Sequence, residues 1–508
     1  MIKNWFRIGI AGIFILSLSL RFWGLERFNT LVFDEVYFAK FGNNYLTHTP
    51  FFNAHPPLSQ YIIAIGIWIG SHLPIGHDTV NSLTGSLRSP WSYRWLNALT
   101  GSFIPLVIAA IAYQLSYRRS FALLAGFFTA FDGLFLVESR YALNNIYIVI
   151  FGLLGQWFLL LALSKQKQQR LFWLALSGIA FGASSGTKWN GLWFLLGAYF
   201  IWIAAWIIRW LQSFAVIDQP KQPRIPLFSY LRPLIALSTA NLDENIRLTK
   251  IQTPLQNLTQ LSISQMLFYL GIIPAVVYSI IWIPHLQLDK RYGFIAVHQQ
   301  ILQFHLHMGG NSPSVHPYCA PWYKWPLMTR PMAYYYQTAQ KITDPLPVFG
   351  PPLPSGAGKI FYDVHAMGNP FLWWFGVAAI IFLFGMLVSQ ILVPWVRQNR
   401  FSLPATLSVD TWIALYLLLN YAANLLPWVK VTRCVFIYHY MCPVVFTFLA
   451  IAWLVDQCIR SYYWQFRAIG ITISFTILVG FLFWMPIYLG LPLSANDYKL
   501  RIWFQSWI

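Results

Sequence analysis

The sequence predicts an all-α polytopic membrane protein, and three observations carry that reading. Hydrophobic residues fill 57% of the 508 positions and charged residues only 10%, whereas an ordinary soluble domain is about a quarter charged. Mean hydropathy is +0.53. Apolar runs long enough to cross a bilayer recur along nearly the whole chain, giving about 11 transmembrane helices. A transmembrane barrel would alternate with period two in short segments, and the sequence shows no such pattern.

The first span, 6–22, has Lys3 and Arg7 at its start and reads as an uncleaved signal anchor. An outer loop over 23–93 follows. Within it, 58–73 (LSQYIIAIGIWIGSHL) is apolar but short. It is either a twelfth span or a helix lying in the interface or partly buried in protein, and the second reading is preferred. The next spans lie near 95–115, 121–137, 143–163, 171–187, 190–211 and 264–284, and the last four near 371–395, 410–428, 434–455 and 467–487. Two long hydrophilic segments remain. The inner one, 212–263, is basic and Pro/Gln-rich and reads as a tether; the outer one, 286–370, is too aromatic for a disordered linker. The organisation expected is therefore an N-terminal catalytic module (1–285), an aromatic and His-rich outer loop (286–370), and a four-span C-terminal module with an outer tail (371–508).

Short loops set the orientation. With the N-terminus inside, the inner connections 117–120, 164–170, 396–400 and 456–467 hold nine Lys/Arg and one acid. The net charge of +19 is then explained by basic residues at anionic headgroups, and no nucleic-acid partner is expected. Cys319, Cys434, Cys442 and Cys458 form no CxxC and no metal-ligand spacing, so neither a disulfide framework nor a zinc site is expected.

Polar residues of unusual context gather on the outer side, as at an active site opening at the membrane surface. Asp34 and Glu35, in FDEVYFAKFG, follow the first span in a chain holding only 15 acids. Adjacent helical positions point about 100° apart, so one acid serves as base while the other positions a substrate or pairs with a cation. An acid at a helix start also suits the helix dipole without any function. His55 opens the block HPPL, which fixes an extended entry into the next helix and reads equally well as a rigid turn.

Arg94 in SYRWLNALTG, Arg140 in ESRYALNN and Lys188 in SGTKWNGLW are cations near the outer ends of spans. Each either snorkels to the headgroups or holds a phosphate, for which Arg offers paired donors. In the outer loop, His305, His307 and His316 lack a nearby acidic ligand, so no metal is expected. Trp322, Tyr323, Trp325 and Arg330 in HPYCAPWYKWPLMTRP read as an interfacial belt or an acceptor groove. His439 in FIYHYMCP falls in the outer half of a span.

Taken together, FDEVYFAKFGNNYL, FFNAHPPL, YRWLNALTG, SRYALNN, KWNGL, HPYCAPWYKWPLMTRP, YHYMCP and PLS…YKLRIWFQSWI, in that order over essentially the full length, resemble the protein O-mannosyltransferases. The chain is similar to the bacterial form, because the outer loop lacks the β-trefoil insertion of eukaryotic members. One departure is Asn145, where members often carry Asp. The resemblance implies a GT-C glycosyltransferase fold with interfacial helices in the first outer loop. It implies a polyprenyl-phosphate-mannose donor, secreted or membrane protein acceptors, the lipid bilayer as partner, and no cofactor, the lipid-linked sugar being a substrate. It also implies Asp34 as catalytic base supported by Glu35, and Arg94, Arg140, Lys188 and His439 around the donor phosphate. His55, His316, Trp322, Trp325 and Arg330 are then acceptor or positioning residues. Transfer on the outer face of the cell membrane, by single-step inverting displacement, follows from the same resemblance. The alternatives are a lipid-directed polyprenyl-phosphate sugar transferase of the aminoarabinose type and, in a different class, a transporter, whose paired halves the sequence does not show.

Overall fold

A computed structural model describes residues 4–75, 80–214, 253–349, 351–356, 358–398, 404 and 406–508. The inner tether expected over 212–263 lies outside the described residues from 215 to 252. In chain order the helices are α1 (Asn4–Phe22), α2 (Glu35–Leu46), α3 (Leu58–Gly70), α4 (Pro90–Ser116), α5 (Arg119–Ala130), α6 (Gly133–Arg140), α7 (Asn145–Leu163), α8 (Lys167–Ser185), α9 (Leu192–Phe214), α10 (Ile263–Leu288), α11 (Phe294–His307), α12 (Pro370–Gln398), α13 (Val409–Leu425), α14 (Met441–Ile459), α15 (Trp464–Tyr488) and α16 (Ala495–Arg501).

Among the described residues nine helices are long and apolar enough to cross a membrane, ten when α5 and α6 count as one span bent by 60°. Every stretch expected to span is helical, but the count of eleven is not confirmed. The difference is α8, which opens on KQQR and closes on GASS. At 13 residues α3 is too short to cross a core of about 30 Å, in keeping with the interfacial reading of 58–73.

Asp132 makes the bend between α5 and α6. Its Oδ1 accepts the Phe135 N–H at 2.9 Å and so starts a new helix, while Oδ2 takes the Trp373 indole N–H at 2.7 Å. Gly133 is required beside it, because a Cβ there would sit 2.2 Å from the Tyr488 ring. The helix α14 is buried on nearly all sides and forms the centre of the bundle, whereas α1 and α15 show most of their surface.

On one end of the bundle lie α2, α3, a small hairpin (β1, Asn81–Leu83; β2, Ser86–Arg88) and a three-stranded antiparallel sheet of β3 (Met332–Ala339), β4 (Ile360–Ala366) and β5 (Leu493–Ser494). The β3–β4 register shifts between Ala333 and Tyr335, so Tyr334 is an extra residue in a bulge. Cys319 and Cys434 form a disulfide, contrary to the sequence expectation; partners 115 residues apart leave no spacing signature. The cystine lies inside a backbone ladder, in which Cys434 N–H donates to Gly309 O at 2.9 Å and Ala320 N–H to Val435 O at 2.8 Å.

The chain leaving α1 runs over 23–34 with little regular structure, and two arginines satisfy its carbonyls. Arg140 donates to Leu20, Arg21, Trp23 and Gly24 O at 2.6–3.1 Å, capping the C-terminus of α1. Arg94 donates to Leu25, Phe28 and Thr30 O at 2.8–3.1 Å and forks onto Glu35, Nε to Oε1 at 2.9 Å and Nη2 to Oε2 at 2.8 Å. Both side chains of that ion pair are fully buried. All five Arg94 N–H groups are engaged, and the four Arg140 bonds run to carbonyls at the end of α1, so both guanidiniums, expected around the donor phosphate, hold the outer loop in this structure.

Replacing Arg94 by Ala leaves the Glu35 carboxylate buried and unpaired, and is expected to cost about 3–5 kcal/mol. Arg94→Lys should recover little of this, since one ammonium cannot reproduce the fork. Thermal unfolding in nanodiscs measures both; an unchanged transition with donor affinity lost would restore the phosphate role. Cys319→Ser is expected to lower the same transition by about 2–4 kcal/mol, and the wild-type cysteines 319 and 434 should resist alkylation until reduced.

Candidate active site

Phe33 and Asp34 show how the local sequence sets the site. Phe33 has φ of 51°, a left-handed conformation that costs a non-glycine residue about 1–3 kcal/mol and persists only when neighbours enforce it. The enforcing contact is a ring stack on Tyr334, with centroids 4.0 Å apart and planes 12° apart. The chain then turns straight into α2 with Asp34 at its N-cap. The Asp34 main-chain carbonyl accepts the N–H groups of Tyr37 and Phe38, both at 2.9 Å. Its side chain makes no capping bond and takes no hydrogen bond from the described residues. Burial pushes the Asp34 carboxyl up to about 6, against the opposing pull of Lys188.

Glu35 is the reverse case. It is fully buried, receives the Arg94 fork, and also accepts the N–H groups of Val32 at 2.8 Å and Ala142 at 2.9 Å. The two adjacent acids therefore divide as the helix geometry requires, one engaged throughout and one free.

Lys188 acts on the Asp34 carboxylate, and Arg433 acts in turn on Lys188. Lys188 lies in extended chain between α8 and a 3₁₀ turn (Trp189–Gly191). Its Nζ lies 3.4 Å from Asn145 Oδ1 and 5.2 Å from the Tyr438 ring centre, and Arg433, Asp34 and Glu138 are the charges acting on it. Arg433, half-buried, donates from Nη1 to Cys434 O at 3.0 Å and has no other side-chain hydrogen bond among the described residues. Its backbone bridges Gly310, one residue from the cystine.

His439 is buried between Trp325, 6.0 Å away and near-parallel, and Trp428, 4.5 Å away edge-on. His439 Nδ1 lies 3.1 Å from the Phe436 main-chain N and 3.0 Å from the Phe436 main-chain O, so the ring is held by that one residue's backbone. His55 stacks on His305 at 5.5 Å, and His305 Nε2 meets Ala54 O at 3.1 Å. Burial, with Lys188 and Arg433 nearby, holds both of these histidines below their ordinary value, His305 at about 4. Both are neutral at physiological pH and add no charge.

The remaining expected site residues serve the outer loop. Arg330 donates to Pro317, Ser506 and Ile508 O and so pins the C-terminal tail. Trp325 donates to Ala320 O at 2.7 Å. His316 accepts the Tyr318 N–H at 3.2 Å and packs edge-on against Phe436. Trp322 is partly buried against the core.

Sequence reasoning passed over three residues. Arg433 lies in a short outer connection whose sequence, KVTRC, carries no signal of its own. Glu138, two positions before Arg140, is fully buried and accepts hydrogen bonds from Tyr334 and Asn145. Its signal was legible, since a carboxylate inside an apolar segment needs partners. Tyr334 was one of three consecutive tyrosines, and only the bulge singles it out.

Residues 11–241 match the family model described as dolichyl-phosphate-mannose-protein mannosyltransferase, and residues 291–507 match that of the C-terminal four-TMM region of protein-O-mannosyltransferase. A polyprenol-phosphate-mannose–protein mannosyltransferase of Mycolicibacterium smegmatis is 21% identical, over 94% of this chain and 88% of its own. The equivalent protein of Corynebacterium glutamicum is 21% identical over 89% of this chain and 81% of its own. In fold, the chain is similar to the Saccharomyces cerevisiae protein O-mannosyltransferase Pmt1-Pmt2 complex bound to the sugar donor, with a TM-score of 0.71 at 14% identity, covering 99% of this chain and 92% of the other. With two family models covering most of its length in order, and with this fold, the chain belongs to the protein O-mannosyltransferase family of membrane glycosyltransferases.

Proposed function

We propose that this protein transfers mannose from polyprenyl-phosphate-mannose to Ser or Thr hydroxyls of exported proteins, on the outer face of the plasma membrane, by single-step inverting displacement. The observation that carries the reading is the free Asp34 carboxylate facing Lys188, beside a Glu35 fully engaged by Arg94. Asp34 takes the hydroxyl proton as the acceptor oxygen bonds to the anomeric carbon. The bond from that carbon to the phosphate oxygen breaks on the opposite side, and polyprenyl phosphate leaves. Its phosphate goes from one negative charge to two, so cations held beside it favour the transition state over the bound donor. Lys188 and Arg433 are the donors placed for that task, with His439 beside them. His55, stacked on His305 and neutral, borders the acceptor side.

Two features support the outer face: the short basic loops assigned to the inside, and a disulfide that needs an oxidising compartment. A protein acceptor rather than a lipid is favoured by the sheet and aromatic loop, which extend the site away from the membrane.

Asp34→Asn is expected to lower transfer of labelled mannose by about 10²–10⁴-fold with expression unchanged; a fully active variant removes the base assignment. Asp34 works only when deprotonated, so kcat should fall as pH drops through about 6 and level off above it, and the variant should lack that limb. Lys188→Ala and Arg433→Ala are expected to weaken donor use more than acceptor use. Mass spectrometry of secreted proteins, with and without this chain, tests the reading as a whole by looking for Ser/Thr-linked hexose.

A further inference from the structure

Six side chains from five separate segments close a circuit behind Asp34. Phe33 stacks on Tyr334 at 4.0 Å. The Tyr334 hydroxyl donates to Glu138 Oε1, and the Asn145 amide donates to the same oxygen at 3.1 Å. Lys188 Nζ lies 3.4 Å from the Asn145 carbonyl oxygen and over the Tyr438 ring at 5.2 Å. The Tyr438 ring lies 6.0 Å from Phe33, closing the loop.

We propose that Glu138 is a positioning residue for sugar transfer, the buried anchor that fixes the base-bearing arm (Phe33–Asp34) against the cation-bearing arm (Lys188) through Tyr334 and Asn145. The proposal rests on the function proposed above and deepens it.

Three facts point to Glu138 rather than to another member. It is the only acid in the circuit. Fully buried and with Oε2 lacking a hydrogen-bond partner among the described residues, it carries a cost no fold accepts without compensation. Both arms also meet on its one oxygen, so its loss frees each from the other, whereas loss of Tyr438 leaves the hydrogen-bonded half intact. The backbone strain at Phe33 gives the link its purpose: a left-handed Phe relaxes unless its ring is held, and the ring is held by a tyrosine that Glu138 fixes. Asp34 is the next residue, so relaxation at Phe33 moves the carboxylate. Displacements of about 1 Å at a reacting group can cost 10²-fold in rate.

The test uses the full chain in nanodiscs, with radiolabelled polyprenyl-phosphate-mannose and a Ser/Thr-rich peptide. Glu138→Gln keeps the shape and Tyr334→Phe keeps the stack, so both are mild. Glu138→Gln is expected to lower kcat about 30-fold or more and Tyr334→Phe about 10-fold, with donor KM within about threefold of wild type. The double variant should fall no further than Glu138→Gln alone, because the two act as one unit. Hydrogen exchange supplies a readout independent of turnover: amides over 32–38 and 186–190 should exchange faster in Glu138→Gln, with the rest unchanged. Wild-type kcat in either variant, losses that multiply in the double variant, a loss carried by donor KM, or unchanged exchange in both segments overturns the proposal. A wild-type protein that binds the donor and transfers no mannose, yet shows the exchange change in Glu138→Gln, refutes the function and leaves the circuit standing.

Discussion

The buried ion pair of Arg94 with Glu35 is the constraint on which the outer half of the molecule depends. An arginine at the start of α4 reaches across to a segment roughly sixty residues earlier in sequence and closes five hydrogen bonds there. Three satisfy carbonyls of an irregular stretch that has no strand or helix to pair with, and two hold the first acid of α2. Without water in reach, those carbonyls would otherwise be orphaned. The pair thus does for the 23–35 segment what a backbone ladder does for a strand, and it fixes where α2 starts. Placing Asp34 follows from that, since a helix whose first residue is locked inward must turn its neighbour another way.

Function then separates from stability along the chain with unusual sharpness. The cations that look alike in sequence, Arg94, Arg140 and Lys188, fall into two classes once their partners are known. The Arg94 guanidinium has every N–H engaged and none left for a charge that develops during reaction, and the Arg140 bonds all run to carbonyls at the end of α1. Lys188, which acts on the free Asp34 carboxylate, and Arg433, which acts on Lys188, retain donors, and their attraction for an anion grows as a leaving group gains charge. The histidines nearby are kept neutral by the same burial and the same cations, so they shape the site without competing for its protons.

The bundle was legible because apolar length is written directly in composition, and each stretch expected to span is a helix. Where the count is not confirmed, at α8, the cause is polarity at both ends of one helix. Asp34 and Glu35 were legible because acids are rare here. The carbonyl contacts of Arg94 and Arg140 were not legible for a physical reason: sequence gives the depth of a cation but not which carbonyls lie beside it. The cystine was invisible, since its halves lie in different modules and obey no spacing rule. Tyr334 depended on a one-residue bulge, which a run of tyrosines conceals, and Glu138 was overshadowed by the arginine beside it.

The cystine also orders events during synthesis. Cys434 sits just ahead of α14, the helix at the centre of the bundle, so its sulfur reaches Cys319 only after the C-terminal module begins to insert. Once closed, the disulfide ties the outer loop to the backbone of Arg433, the residue before Cys434, which bridges Gly310 on the other side of the same ladder.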